Sequence, residues 1–286
     1  MAILFALLTA ASYGAGDFLG GLATRRQPAV RVTLLSQLFG ALVLVVLVPV
    51  LGGEPTAEAL GIGALAGLAG ACAVVVFYRA MAVGAMSVIA PVSALTAAAL
   101  PVVVGLATGE RPSVLALLGV VIALGAILLV SQHGPSAPTD PDPWRRSATS
   151  HRATILLGLL SGALFGVLFI VLDGVPDDAK LWPLVGARAA SLPFLLVVAA
   201  STRTRLRPEP GTLRVIAGCG VFDMLANVFL LLAFDHGLLV LVSVITALYP
   251  ASTLILARVV LHERVRPIQR VGLVVAALAV VLISAS

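Results

Sequence analysis

The sequence predicts an all-α polytopic membrane protein of ten transmembrane helices arranged as two inverted five-helix repeats. Three observations carry that expectation. Of the 286 residues, 60% are hydrophobic and only 11% charged, against about 25% charged in a soluble domain. Apolar runs long enough to cross hydrocarbon, roughly 20 residues each, recur throughout, and the mean hydropathy is +1.13. The stretch Ala80–Ser131 also occurs twice. Under a constant shift Ala80 falls on Ala233, Gly84 on Gly237, Leu95 on Leu248, Glu110 on Glu263, Arg111 on Arg264, Gly119 on Gly272 and Ser131 on Ser284.

The elements follow in order. The first helix spans about Ile3–Leu22. Without a basic segment ahead of it, it reads as a membrane span, not a cleaved leader. A basic turn with Arg25, Arg26 and Arg31 leads to a second helix over about Val32–Leu51. An acidic turn with Glu54 and Glu58 precedes the third, about Leu60–Met81, and Gly84 marks its end. The fourth, about Ser87–Thr108, contains Pro91 and Pro101, and Gly109-Glu110-Arg111-Pro112 separates it from the fifth, about Ser113–Ser131. Residues 132–152 form the one real linker. Its four prolines, interspersed with Ser, Thr and Asp, cannot build a packed core.

The chain therefore divides into a first repeat, 1–131, the linker 132–152, and a second repeat, 153–286. The second half places helices at about Ala153–Leu172, Leu181–Ala200, Leu213–Phe234, Leu238–Leu261 and Pro267–Ser284. The repeat also extends backwards. Ser161–Gly166 echoes Thr9–Gly14, and Leu60, Ala64 and Gly67 match Leu213, Ala217 and Gly220. An odd period of five spans makes the second copy enter the bilayer from the opposite side. Such inverted repeats mark alternating-access transporters.

The net charge is +5 and the isoelectric point about 10.0. The arginines concentrate in the turns after helices one, five, seven and nine, while the turns after two, six and eight are neutral or acidic. This is the positive-inside pattern, not a nucleic-acid surface, and it places both termini outside the cytoplasm. Cys72 and Cys219 lie within apolar runs, with neither disulfide nor metal-ligand spacing.

Ionisable side chains within helices are costly, about 2.5–3.5 kcal/mol at mid-helix, and each calls for a reason. Asp17 follows Gly14-Ala15-Gly16 late in helix one. It reads either as a proton or cation site facing a cavity or as a carboxylate near the interface, hydrated or paired with Arg25 or Arg26. Arg188 in helix seven reads as a clamp for an anionic group or as a snorkelling side chain. Asp223 and Asn227, four apart, share a face of helix eight. They suit a substrate or proton site, or an interhelical bond to Arg188. Tyr13 and Tyr249 are candidates to line a cavity, with ordinary packing as the alternative. Ser93, Thr96, Ser243 and Thr246 are weaker candidates of the same kind, with hydroxyls bonding back to helix carbonyls as the common alternative, and Trp182 reads as an interface anchor. Glu110 and Glu263 are read as structural, each accepting from the start of the next helix.

Enzyme constellations do not surface. His262-Glu263 lacks the second histidine of a metalloprotease motif, since Arg266 stands there. The remaining histidines show no ligand spacing, and no Walker loop is present. The expectation is therefore a non-enzyme without cofactor or metal. A membrane-embedded enzyme and a lipid flippase are the alternatives.

The ten-helix plan, with each half closing on helix–Gly/His-Glu-Arg–helix and a following glycine, resembles the EamA-type transporters of the drug/metabolite transporter superfamily. The residues concerned are Gly109-Glu110-Arg111 before Gly119 and His262-Glu263-Arg264 before Gly272. The resemblance covers essentially the whole chain and implies a secondary transporter whose cavity is lined by helices one, three, four, six, eight and nine. Two features depart from the family habit. Its members usually keep their termini in the cytoplasm, and they often carry a basic residue in helix two, where this chain has Ser36 and Gln37. The expected function is export of a small polar metabolite or drug-like molecule across the bacterial inner membrane. Movement would be driven by the substrate gradient or by protons, with membrane lipid around a monomer or homodimer.

Overall fold

The computed structural model describes residues 1–83, 86–131 and 151–285. Residues 132–150 of the expected linker and Gly84 lie outside the described residues, while 151 and 152 belong to α6. The helices are α1 (Ala2–Thr24), α2 (Ala29–Leu51), α3 (Ala57–Val83), α4 (Met86–Ala107), α5 (Val114–Val130), α6 (His151–Asp173), α7 (Trp182–Ser201), α8 (Leu213–Phe234), α9 (Leu239–Thr246), α10 (Tyr249–Val260) and α11 (Pro267–Ser284). Nine stretches among the described residues are long and apolar enough to span a bilayer, α9 and α10 together making one of them. The 17-residue α5, about 25 Å long at 1.5 Å per residue, is a tenth apolar element at the short end of the spanning range.

The ninth expected helix is thus broken. Pro250 is the second residue of α10. It has no N–H to give to the carbonyl of Thr246, and its ring crowds that carbonyl. The chain relieves this with a short turn at Ala247–Leu248, where Leu248 N–H bonds Ile245 O at 3.1 Å. Pro91 and Pro101 sit within α4 without ending it.

Packing is by small residues, as it must be where lipid offers no hydrophobic drive between helices. Alanines dominate the buried apolar set, whereas large aliphatics such as Val45 (71% exposed) and Val274 (69%) face outward. Where helices approach most closely, glycine is required. A Cβ on Gly63 would lie 1.8 Å from Pro183 O, one on Gly67 2.3 Å from Ala187 O, and one on Gly220 2.0 Å from Ser36 O.

The main helix contacts join the two sequence halves. α1 packs on α8 and α10, α2 on α8, α3 on α6 and α7, α4 on α6, and α5 on α11. Exchanging each helix for its repeat partner turns α1–α8 into α6–α3, and α2–α8 into α7–α3. The α5–α11 pair maps onto itself. There Gly119 faces Ala279 and Ile283, and its repeat partner Gly272 faces Leu129 and Val130. Two bundles result, one of α1, α2, α8, α9 and α10, the other of α3, α4, α6 and α7. Each mixes helices from both repeats.

One end of the molecule collects the arginine-bearing turns. Arg25 meets Glu263 at 3.4 Å, Arg31 Nε donates to Arg205 O at 2.5 Å, and Gln27 donates to Thr212 at 2.8 Å. At the other end Trp182 Nε1 donates to Gly53 O at 3.1 Å. Glu110 also differs from expectation. Its carboxylate does not cap α5, whose first turn is capped by Ser113. It reaches across to α9 instead, accepting from Leu239 N–H at 2.6 Å and Val240 N–H at 2.9 Å. The reason is local competition: Ser113 already serves α5, while the residue that precedes α9, Leu238, has no side-chain acceptor. Glu263, its repeat partner, is exposed, as is Arg264.

Candidate functional site

Between the two bundles lies a cavity of about 170 Å³. Every polar residue singled out in helices one, seven, eight and nine for a site lines it: Tyr13, Asp17, Arg188, Asp223, Asn227 and Tyr249. Asp223 is ten residues into the 22-residue α8, about 15 Å from its start, so the cavity sits near mid-depth.

The sequence dictates this convergence through helical spacing. Tyr13 and Asp17 are four apart on α1, as are Asp223 and Asn227 on α8, so each pair shares a face. Gly14, Gly16 and Gly20 alternate with them and let α1 press close. A Cβ on Gly16 would be 3.4 Å from Asp223 N, and one on Gly14 2.4 Å from Ser252 Cβ. The first contact sets Asp17 beside Asp223; the second sets Tyr13 beside Tyr249, whose rings meet edge-on at 6.5 Å.

The polar contacts are specific. Arg188 Nη2 donates to Asp223 Oδ2 at 2.5 Å, with side chains 13% and 36% exposed. Tyr13 donates its hydroxyl proton to Asn227 Oδ1 at 3.1 Å. Asn227 Nδ2 donates back to Asp223 O at 2.7 Å, which fixes the amide orientation. Ser191 Oγ donates to Gln37 Oε1 at 2.6 Å, tying α7 to α2. Arg188 Nε is buried and unpartnered. Asp17 is exposed and, among the described residues, takes no hydrogen bond or ion pair. Neither Arg25 nor Arg26 neutralises it, since Arg25 points to Glu263.

Three expectations need correction. α2 and α7 also line the cavity, through Gln37 and through Leu184, Ala187 and Arg188. Sequence reasoning treated Gln37 as a mere departure and missed it; a glutamine amid apolar residues one turn before Gly40 was the available signal. Ser243 and Thr246 do not bond back to their helix but are buried without partners. Thr96 does bond back, to Val92 O at 2.8 Å, while Ser93 donates to Ser161 across α4 and α6 at 3.3 Å.

A second hollow of about 560 Å³ lies on the flank between α2 and α7. It is almost wholly apolar, lined by Leu44, Val45, Val48, Val185 and Leu192 among others, and Arg188 also contributes to its wall. No group of three or more potential metal ligands occurs among the described residues.

A multi-pass helical membrane protein with repeat-related bundles and a cavity between them that holds charged side chains has the build of a membrane transporter. The EamA-like transporter family model matches residues 1–132 and again 152–285, and the chain belongs to that family. No curated protein matches the chain significantly. A solved crystal structure of a protein superposes with a TM-score of 0.78 over 98% of this chain and 95% of its own, at 14% identity. At that identity the likeness concerns the fold alone.

Proposed function

We propose that this protein is a secondary active transporter, working as an exporter of a small polar or drug-like molecule across the bacterial inner membrane by alternating access. The observation that carries the reading is the placement of Asp17, Arg188 and Asp223 in one mid-depth cavity between two repeat-related bundles. Charges so deep in the bilayer are costly and face water or cargo. Family membership supplies the transporter class.

The proposed moving bodies are taken from the packing. The strongest contacts cross between the sequence repeats, so the repeats are not the rigid units. The two mixed bundles are, with the cavity between them and the break at Ala247–Leu248 on one wall. Tyr13, Asn227 and Tyr249 contribute hydroxyl and amide groups to cargo, Arg188 and Asp223 the ion pair. Asp17 and Asp223 are the candidates for proton coupling. Glu110, Arg111, Glu263 and Arg264 serve the frame. The arginine-rich end faces the cytoplasm, which leaves the termini outside.

The test is counterflow in proteoliposomes loaded with a metabolite mixture, with and without a pH gradient. Arg188→Ala and Asp223→Asn abolish uptake while both variants still reach the membrane. Full transport by both removes the site assignment. The flank hollow between α2 and α7 favours a second reading, lateral entry of a lipid or other amphiphile. A fluorescent-lipid scrambling assay separates the two: flipping without metabolite counterflow selects the second.

A further inference from the structure

We infer that the central cavity takes an organic monocation carrying an apolar body, held by the Asp17 carboxylate among aromatic rings. This rests on the transporter reading and names its substrate class.

The first argument is charge. The ionisable carboxylates and guanidinium lining the cavity are Asp17, Asp223 and Arg188. Arg188 and Asp223 neutralise each other in a direct ion pair. With the side chains in their ionised forms, one negative charge is left over, and it is on Asp17. No arginine from the adjacent turn reaches it, because Arg25 is committed to Glu263. An exposed carboxylate one turn below Tyr13, beside a second carboxylate already engaged, offers an incoming group acceptors only. An anion entering here would meet that surplus negative charge, and the guanidinium that could answer it already holds Asp223 through Nη2, though its buried Nε is unpartnered. A cation displaces nothing.

The second argument is the wall chemistry. Tyr13 and Tyr249 stand edge-to-face on one side. Phe165 and Phe169, four apart and so on one face of α6, line the cavity as well. The remaining lining consists chiefly of Ala, Gly, Val and Leu. Ring faces attract cations, more strongly where water is excluded, and the apolar remainder suits a hydrocarbon or aryl body. A strongly hydrated inorganic ion would find one free carboxylate and too few oxygens to replace its water shell.

The experiment uses the full chain in nanodiscs and radiolabelled trimethylphenylammonium as the probe. Expected are saturable binding, competition by unlabelled probe, and no competition by phenylacetate or by the uncharged isostere tert-butylbenzene. Asp17→Asn lowers affinity about tenfold or more, as expected from losing an opposite charge at contact. Asp17→Glu retains most of it. Size-exclusion profiles and unfolding midpoints matched to wild type show that Asp17→Asn is folded; should it not be, the competition series on wild type still decides. Absence of probe binding, or binding equally strong in a folded Asp17→Asn, overturns the inference, as does stronger competition by the anion or neutral isostere. The transporter reading is judged separately by metabolite counterflow. Counterflow restricted to anions or zwitterions keeps the transporter and overturns the cation, whereas no counterflow of any class defeats the transporter reading itself.

Discussion

Glu110 ties the turn between α4 and α5 to the first two backbone N–H groups of α9, and its removal is a quantitative test of the fold. The perturbation is Glu110→Ala. Two hydrogen bonds disappear, at 2.6 and 2.9 Å, each to a charged acceptor and so worth about 1.5–3 kcal/mol. A negative charge at a helix N-terminus adds about 0.3–1 kcal/mol. Glu110 is half-buried, so water recovers part of this, and a net loss of about 3 kcal/mol follows. At about 2–4 °C per kcal/mol for chains of 150–250 residues, the unfolding midpoint in detergent falls by about 6–12 °C. The assay is intrinsic tryptophan fluorescence or fluorescence-detected size exclusion on heated samples. Glu263→Ala is the internal control. Its pairing with Arg25 is 3.4 Å long between side chains 54% and 64% exposed, and exposed pairs contribute about 0–1 kcal/mol. Gly105→Ala approaches the same bonds from the other side. Its Cβ would stand 2.6 Å from Glu110 Oε2 and 2.8 Å from Val240 Cγ2, so the carboxylate must shift, with a smaller loss of the same sign. Equal shifts for Glu110→Ala and Glu263→Ala, or none for either, refute the cross-molecular cap.

Three further outcomes are expected. Gly63→Ala, whose Cβ would overlap the Pro183 carbonyl, collapses expression of monodisperse protein. Gly61→Ala on the same helix, with nothing within 4 Å, leaves it unchanged or slightly raised, as size-exclusion profiles of the pair will show. Arg188→Met and Asp223→Asn each lower thermal stability by leaving a charge unpartnered. The partly exposed pair keeps each loss below the roughly 3–5 kcal/mol of a dry one. The double variant recovers stability but not transport, and strictly additive losses would contradict the pair. Membrane-impermeant labelling of a cysteine placed at either terminus in intact cells succeeds from outside; labelling only after the cells are opened reverses the orientation drawn from the arginine-rich turns.

The sequence made the frame legible because a bilayer leaves few options. Long apolar runs have to be helices, and the repeated Glu-Arg turns at 110–111 and 263–264 expose the five-helix period. It also brought forward the cavity's polar residues, because Asp17, Arg188 and Asp223 stand out against an apolar background. What it could not give was the interleaving of the repeats. Gly67 and Gly220 were visible as repeat partners, but that each presses on a helix of the other half is a property of packing. The break at Ala247–Leu248 was hidden for a related reason. Pro91 and Pro101 are accommodated within α4 while Pro250 ends a helix, so a proline's presence alone does not locate the interruption. The partner of Glu110 was misplaced because sequence proximity favoured α5, whereas Ser113 had already satisfied that helix.

The frame and the site obey different symmetries, and the difference has a mechanical meaning. The α5–α11 pair, with Gly119 and Gly272 each seated on the other's helix, maps onto itself under exchange of the repeats. Such a contact keeps its geometry in either of two states related by that exchange. The cavity does not map onto itself. Arg188 of α7 has Gln37 and Ser36 in the matching region of α2, and the Arg188–Asp223 pair joins the two bundles. Glu110 holds the start of α9 while its repeat partner Glu263 is exposed and pairs with Arg25. Under the alternating access proposed for this protein, a symmetric frame supplies two states of similar energy, and bonds present in only one copy decide which state is lower. On this view Glu110 and the Arg188–Asp223 pair bias the resting state. A ligand can shift such an equilibrium only by its differential affinity for the two states. Cargo held on Asp17, beside the Arg188–Asp223 pair, shifts the balance only as far as that neighbourhood differs between the two states.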